Sequence, residues 1–172
     1  MEKVICCICQ KPKATLTCGT CSSPVCKYCA VFLDEDTFKY LKKIPKDASH
    51  TTYCSPCYNE KVSPVVDNYN ETVERAKNIM IFTKQQNKET RFIKRYEEVV
   101  HVSDCLDRED VMMRLAFFAA QGDFNGVIDI EVVSKKIRNG SYQTTQWSGS
   151  GIPALVNPAK LIKDKSFSSD PN

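Results

Sequence analysis

Eight of the ten cysteines in this 172-residue chain fall in four pairs, each with two residues between its members: Cys6 and Cys9, Cys18 and Cys21, Cys26 and Cys29, Cys54 and Cys57. Thiolate sulfur is both a strong nucleophile and a soft metal ligand. Two cysteines three positions apart can turn onto one ion in a tight turn, whereas a disulfide framework has no reason to repeat that gap four times. No charged segment followed by an apolar core opens the sequence, and no apolar run approaches the ~18 residues of a membrane span. The expected use of the cysteines is therefore intracellular metal binding, with a cytoplasmic location, either free or peripheral to a membrane. Two structural Zn2+ ions are expected, each closed at four sulfurs with no position left for a reacting water, and hence no catalytic role.

Charge narrows the partners. The formal net charge is +3, but each Zn(Cys)4 centre carries −2, so two centres bring the chain to about −1. Within residues 1–62 nine lysines face six carboxylates. A duplex-DNA binder needs a dense basic cluster that displaces counterions, so no nucleic-acid partner is expected.

Four pairs make two sites, shared out either between neighbours or alternately. The four residues between Cys21 and Cys26 suit a short crossover between two ions better than two self-contained ribbons. With this rhythm, "CGTCSSPVCKYC" followed by "YCSPCYNE" resembles the FYVE and FYVE-related zinc fingers over residues 4–62. RING fingers, which place two residues between the fourth and fifth ligands and include a histidine, fit worse, as do PHD fingers with a histidine at the fifth ligand. The resemblance implies a cross-brace in which Cys6, Cys9, Cys26 and Cys29 hold one zinc and Cys18, Cys21, Cys54 and Cys57 the other. Lipid-binding members of that family grip phosphatidylinositol 3-phosphate with an Arg- and His-rich run around the third ligand. Here the stretch reads "KATLTCGTC", with Gly19 where an arginine would stand, and Lys11 and Lys13 offer only weak attraction to an anionic surface. A protein partner is expected ahead of a phosphoinositide membrane, and a RING-like ubiquitin ligase is the enzymatic rival.

Other residues of chemical interest have plainer uses. Cys7 is a bystander thiol between ligands, Cys105 a buried inert one without a histidine partner at His101, and His50 a ligand only if a cysteine were idle. Phe38, Leu41 and Ile44 are spaced for one helical face of a basic insert that packs on its own finger. The acids Asp104, Asp107, Glu109 and Asp110 suit the first turn of a helix. The glycines of "WSGSGIP" read as strand-end turns and Trp147 as a packing residue.

These residues must be positioned by the following elements. Residues 63–78 form a linker helix, with Pro64 near its start. Beyond it "IMIFT" is a short strand and "TRFIKRYEEVVHVS" a longer one. "SDCLDREDVMMRLAFFAAQGD" is a helix capped by Ser103, Asp104 or Asp107 and closing at Gly122, its apolar face Val111, Leu115 and Phe118, flanked by Met112 and by Phe117 or Ala119. In the next strand Ile128, Ile130 and Val132 alternate against Asp129 and Glu131, which predicts one buried face, and Asn139-Gly140 predicts the hairpin turn. Residues 158–172 read as a frayed tail.

The stretch "RLAFFAAQGDFNGVIDIEVV" is similar to small bacterial domains labelled as heavy-metal-binding, over residues 79–157. That resemblance implies an α+β domain that assembles into a homo-oligomer; the segment has no Cys and His set fit for a soft metal. The expected chain is a small cross-brace finger (1–62), a linker helix (63–78), a β-β-α-β-β domain of α+β class (79–157) and a tail (158–172). Its expected role is that of a non-enzymatic adaptor.

Overall fold

The computed structural model describes residues 4–95 and 97–161. The chain divides into two compact units, Met1–Glu71 and Thr72–Asn172. No helix among the described residues is long and apolar enough to cross a membrane.

The first unit contains two antiparallel pairs of very short strands. β1 (Leu16–Thr17) pairs with β2 (Pro24–Val25), and β3 (Ala30–Phe32) with β4 (Thr52–Cys54). Ladders of two or three residues cannot hold themselves together in water. The apolar interior is correspondingly thin: Val25, Tyr53 and Val62 are fully buried, and buried sulfurs of Cys6, Cys18, Cys26 and Cys54 make up much of the rest.

The basic insert is not the expected amphipathic helix. It makes two single tight turns, Glu35–Phe38 and Lys46–Ala48. Asp34 starts the first by accepting from the Asp36 N–H at 3.2 Å, and Pro45 stops any continuation, since its preceding residue is steered out of the helical region. Phe38 is buried edge-on against Tyr69, with ring centroids 5.2 Å apart, while Ile44 stays exposed.

The last cysteine pair opens a helical run that begins as α1 (Ser55–Cys57), widens over Tyr58–Val62 and continues as α2 (Ser63–Ala76). Pro64 is the second residue of α2, near its start as expected, but helical chain already precedes it from Ser55. A proline ring clashes with the carbonyl four residues back, here that of Glu60, and the loosened turn Tyr58–Val62 makes the room.

In the second unit a four-stranded sheet has the order β5-β7-β8-β6. β5 (Met80–Thr83) lies parallel to β7 (Gly126–Asn139), β7 antiparallel to β8 (Tyr142–Ala154), and β8 antiparallel to β6 (Val100–Cys105). Between β6 and β7 runs α3 (Arg108–Gln121). Of the three candidate caps Asp107 is used, its carboxylate accepting from the Asp110 N–H at 2.7 Å; Ser103 and Asp104 belong to β6. The Gly122 N–H closes the far end on the carbonyls of Phe118 and Ala119. Val111, Leu115, Phe117 and Ala119 are buried, whereas Phe118, placed by its spacing on the inner face, is only partly so.

Two features depart from the expected sheet. The second strand is much shorter than "TRFIKRYEEVVHVS": the chain turns at Thr90 to Ile93 and extends only from Val100. Ile93 turns inward, and Arg95 grips Asp129 through Nε to Oδ2 at 2.5 Å and Nη2 to Oδ1 at 3.0 Å. Second, Ile128 and Ile130 do not share a face. Asp129 is one extra residue in β7, shifting the register against both β5 and β8, and takes φ +54°. The bulge puts Val127 and Ile130 in the cluster under α3 with Val102, Val111 and Leu115, and Ile128 in a second cluster with Phe82, Ile93, Ala154 and Val156. Asp104 does the same in β6, with φ +56° and a register shift between Val102 and Cys105. Aspartate is one of the few side chains that tolerates this left-handed backbone.

Both faces of the sheet are thus covered near its base, while β7 beyond Val132 and β8 before Gln146 are largely exposed. The C-terminal stretch completes the second face: Asn125 accepts from the Val156 N–H at 2.7 Å and donates to its carbonyl at 2.9 Å, and Leu161 packs alongside. Pro158–Lys160 form an ordered turn capped by Asn157, so the expected tail does not begin at 158; residues 162–172 lie outside the described residues.

Gly149 and Gly151 are not strand-end turns but mid-strand positions in β8. A Cβ on Gly149 would lie 2.5 Å from Val111 Cγ1, and one on Gly151 2.6 Å from Val127 Cγ1. The missing side chains let α3 and β7 pack close. The hairpin turns one residue later than expected, on Gly140 and Ser141, because Asn139 still pairs with Tyr142; Gly140 at φ +62° fits the leading position of a two-residue turn.

Candidate metal centres

The first two cysteine pairs lie on turns with the same backbone bonding. The Cys6 N–H donates to the Lys11 carbonyl (3.0 Å) and Gln10 N–H to the Cys6 carbonyl (2.9 Å); Cys18 N–H donates to Ser23 (3.0 Å) and Ser22 N–H to Cys18 (2.9 Å). Gln10 and Ser22, each just after the second cysteine, both take a left-handed φ, +56° and +57°. This repeat is not visible in the side chains, which differ between the two turns. The third pair is a simpler turn, with the Ala30 N–H on the Cys26 carbonyl at 2.9 Å, and the fourth lies at the start of the helical run.

These turns bring the sulfurs together alternately. Cys6, Cys9, Cys26 and Cys29 form one set and Cys18, Cys21, Cys54 and Cys57 the other, all sulfurs within 4.8 Å of one another in each set. Cys9 Sγ lies 3.7 Å from Cys26 Sγ, and Cys21 Sγ 3.8 Å from Cys54 Sγ. A tetrahedron with metal–sulfur bonds of about 2.3 Å has edges of about 3.8 Å. Both sets therefore fit a four-coordinate ion at their centre. In each, two of the cysteines are buried; of the others Cys9, Cys29 and Cys57 are half-buried and Cys21 is exposed.

The polar surroundings favour anionic sulfur at particular positions. The Cys26 backbone N–H donates to Cys6 Sγ at 3.3 Å. Cys6 is drawn down to about 6, mainly by the Cys9 N–H and with a contribution from Cys26. Cys21 also falls to about 6 through hydrogen bonds from the Ser23 side chain and backbone. Four crowded sulfurs cannot all ionise unaided, so others rise: Cys29 is pushed up to about 12, chiefly by the bond it shares with Cys26, and Cys54 is raised by burial. A divalent cation at the centre removes that conflict by stabilising all four thiolates.

The remaining candidate residues lie outside both sets. His50 packs on Gly19, where an added Cβ would come within 2.4 Å of the His50 Cβ, and its backbone N–H donates to the Tyr53 hydroxyl at 2.8 Å. Cys7 is exposed and Cys105 buried; burial raises both thiols above their ordinary value. His101 is exposed on β6.

The chain matches no protein-family model, no curated protein and no solved structure.

Proposed function

We propose that the first unit is a cross-braced, FYVE-related zinc module that binds a protein partner and has no catalytic activity, and that the α+β unit gathers several copies into a homo-oligomer. The observation that carries this reading is the alternate sharing of the four cysteine pairs between two tetrahedral sets. An all-sulfur tetrahedral donor set is the signature of structural zinc. With four protein ligands each ion lacks an open position, so its contribution is folding free energy, on the order of 10 kcal/mol per site, to a unit whose strands are too short to stand alone. The outer strands β5 and β6 are the sheet edges through which copies could pair, and several fingers displayed together raise the apparent affinity for a partner by avidity.

Native mass spectrometry of the intact protein tests zinc content and subunit number together. Two zincs per chain in a closed ring or dimer is the expected result. Fewer than two metals per chain overturns the cross-brace, and a monomer at micromolar concentration overturns the display role.

A second reading, an anionic membrane surface as partner, has one specific observation behind it. Lys11, Lys13 and Lys27 line an open cleft of about 840 Å³ beside the first cysteine set. Tyr28 is 83% exposed there with the Lys27 ammonium 5.0 Å above its ring, and Val4, which bonds Ala14, is half exposed. Against a specific phosphoinositide grip stands His50, which closes the Gly19 position to any side chain. Liposome flotation with and without the 3-phosphate lipid separates the readings: no flotation favours the protein partner, and flotation dependent on anionic lipid favours the membrane.

A further inference from the structure

We propose that the α+β unit, independently of the metal centres, binds a small flat organic anion in a notch beside Trp147. The notch arises from unequal strands. β5 ends at Thr83, paired with Ile130, while β7 runs on to Asn139, so past that pair the edge of β7 loses its neighbour. The chain leaves β5 through the turn Lys84–Gln86, which is braced by the Thr83 N–H donating to the Gln86 side chain at 2.9 Å. Arg108, the first residue of α3, stands on another wall. The open notch has a volume of about 480 Å³, and the half-buried Val132 and Trp147 supply apolar surface to it. Small-molecule sites occupy roughly 300–1,000 Å³ and combine apolar walls with a few charged groups.

The charges select the ligand. Three charged side chains line the notch: Lys84, Glu131 and Arg108. Lys84 and Glu131 neutralise one another across 2.7 Å. Arg108 has no ion pair among the described residues, which leaves one uncompensated guanidinium. Its planar fork matches a carboxylate or phosphate with two parallel hydrogen bonds. Trp147 packs against the cluster under α3 yet stays partly exposed, and a part-exposed indole offers a surface on which a flat ring stacks. An anionic group on Arg108 and a ring on Trp147 would fill the notch together.

The chain contains a single tryptophan, so its emission reports on this site directly. The full-length, metal-loaded protein is titrated with 4-nitrobenzoate, 4-nitrophenyl phosphate and, as the uncharged counterpart, 4-nitrobenzyl alcohol. Saturable quenching by at least one anion is expected, with the alcohol about tenfold weaker or more. Which anion binds tighter identifies the ligand's acidic group. Arg108→Gln, at an exposed position, should weaken the anion about tenfold without moving the thermal midpoint. Glu131→Gln should tighten it several-fold by freeing Lys84. Quenching that rises linearly without saturating, that is equal for the alcohol, or that is unchanged in Arg108→Gln overturns the proposal.

Discussion

The close packing of α3 on the sheet makes a sharp prediction at Gly149. This residue pairs with Val132 on one side and Val102 on the other. In Gly149→Ala the new methyl would meet Val111 Cγ1 at 2.5 Å and the Glu131 carbonyl oxygen at 2.9 Å. Carbon atoms rest at about 3.5–4.0 Å, so about 1 Å of movement is required. Val111 is fully buried and, being β-branched in a helix, has one favoured rotamer; the whole helix must therefore lift. Overpacking of this kind costs about 1–3 kcal/mol, here at the upper end because neither obstruction is flexible. Replacing glycine returns about 0.5–1 kcal/mol through the unfolded chain. The net loss is about 2 kcal/mol, which for a unit of this size lowers the thermal midpoint by roughly 8–16 °C. Trp147 emission follows that unit in the intact protein. Val111→Ala alone should cost about 2 kcal/mol, and the double variant less than the sum, since one substitution removes the clash the other creates. A Gly149→Ala midpoint within about 2 °C of the parent, or additivity within about 0.5 kcal/mol, would refute the reasoning.

The alternating cysteine sets predict which double substitutions spare a metal. Cys9→Ser with Cys26→Ser strikes one set and should leave one zinc by native mass spectrometry, whereas Cys9→Ser with Cys18→Ser strikes both and should leave none; pairing between neighbours reverses the two results. Arg95→Ala should lower the stability of the α+β unit by about 1–2 kcal/mol, and Arg95→Lys should recover less than half of it, because a lysine cannot span both Asp129 oxygens; urea titration followed by Trp147 emission measures both. Burial pushes the Cys105 thiol up, so less thiolate is present at any given pH than in an ordinary cysteine. Cys105 should resist iodoacetamide in native protein at neutral pH, gain reactivity as pH rises, and react fully in denaturant, as mass mapping of the alkylated peptides would record.

The features legible from the sequence are those set within a few residues. Cysteine spacing marks tight turns, and Asp107 and Gly122 bracket α3 because caps act on backbone groups three or four positions away. The bulges at Asp104 and Asp129 depend on partner strands distant in the chain, so alternation alone placed Ile128 and Ile130 on one face. In β7 the aspartate between Ile128 and Ile130 is the available signal. Gly149 and Gly151 carried another: two glycines at a spacing of two fall on one face of a strand and mark a close approach there. The helical spacing of Phe38, Leu41 and Ile44 misleads in the insert, because Asp34 caps a turn that runs only to Phe38 and Pro45 keeps the chain before it out of the helical region. The sulfur separations and the seating of His50 on Gly19 belong to tertiary geometry.

The alternation of the two cysteine sets also dictates an order of events during synthesis. The first set is complete once Cys29 has left the ribosome, but the second must await Cys57, 28 residues later by the numbering. At about 5–20 residues per second that interval lasts a few seconds. Throughout it Cys18 and Cys21 sit inside a loop that a first ion can already have closed, held as a ready half-site until the nascent chain delivers their partners.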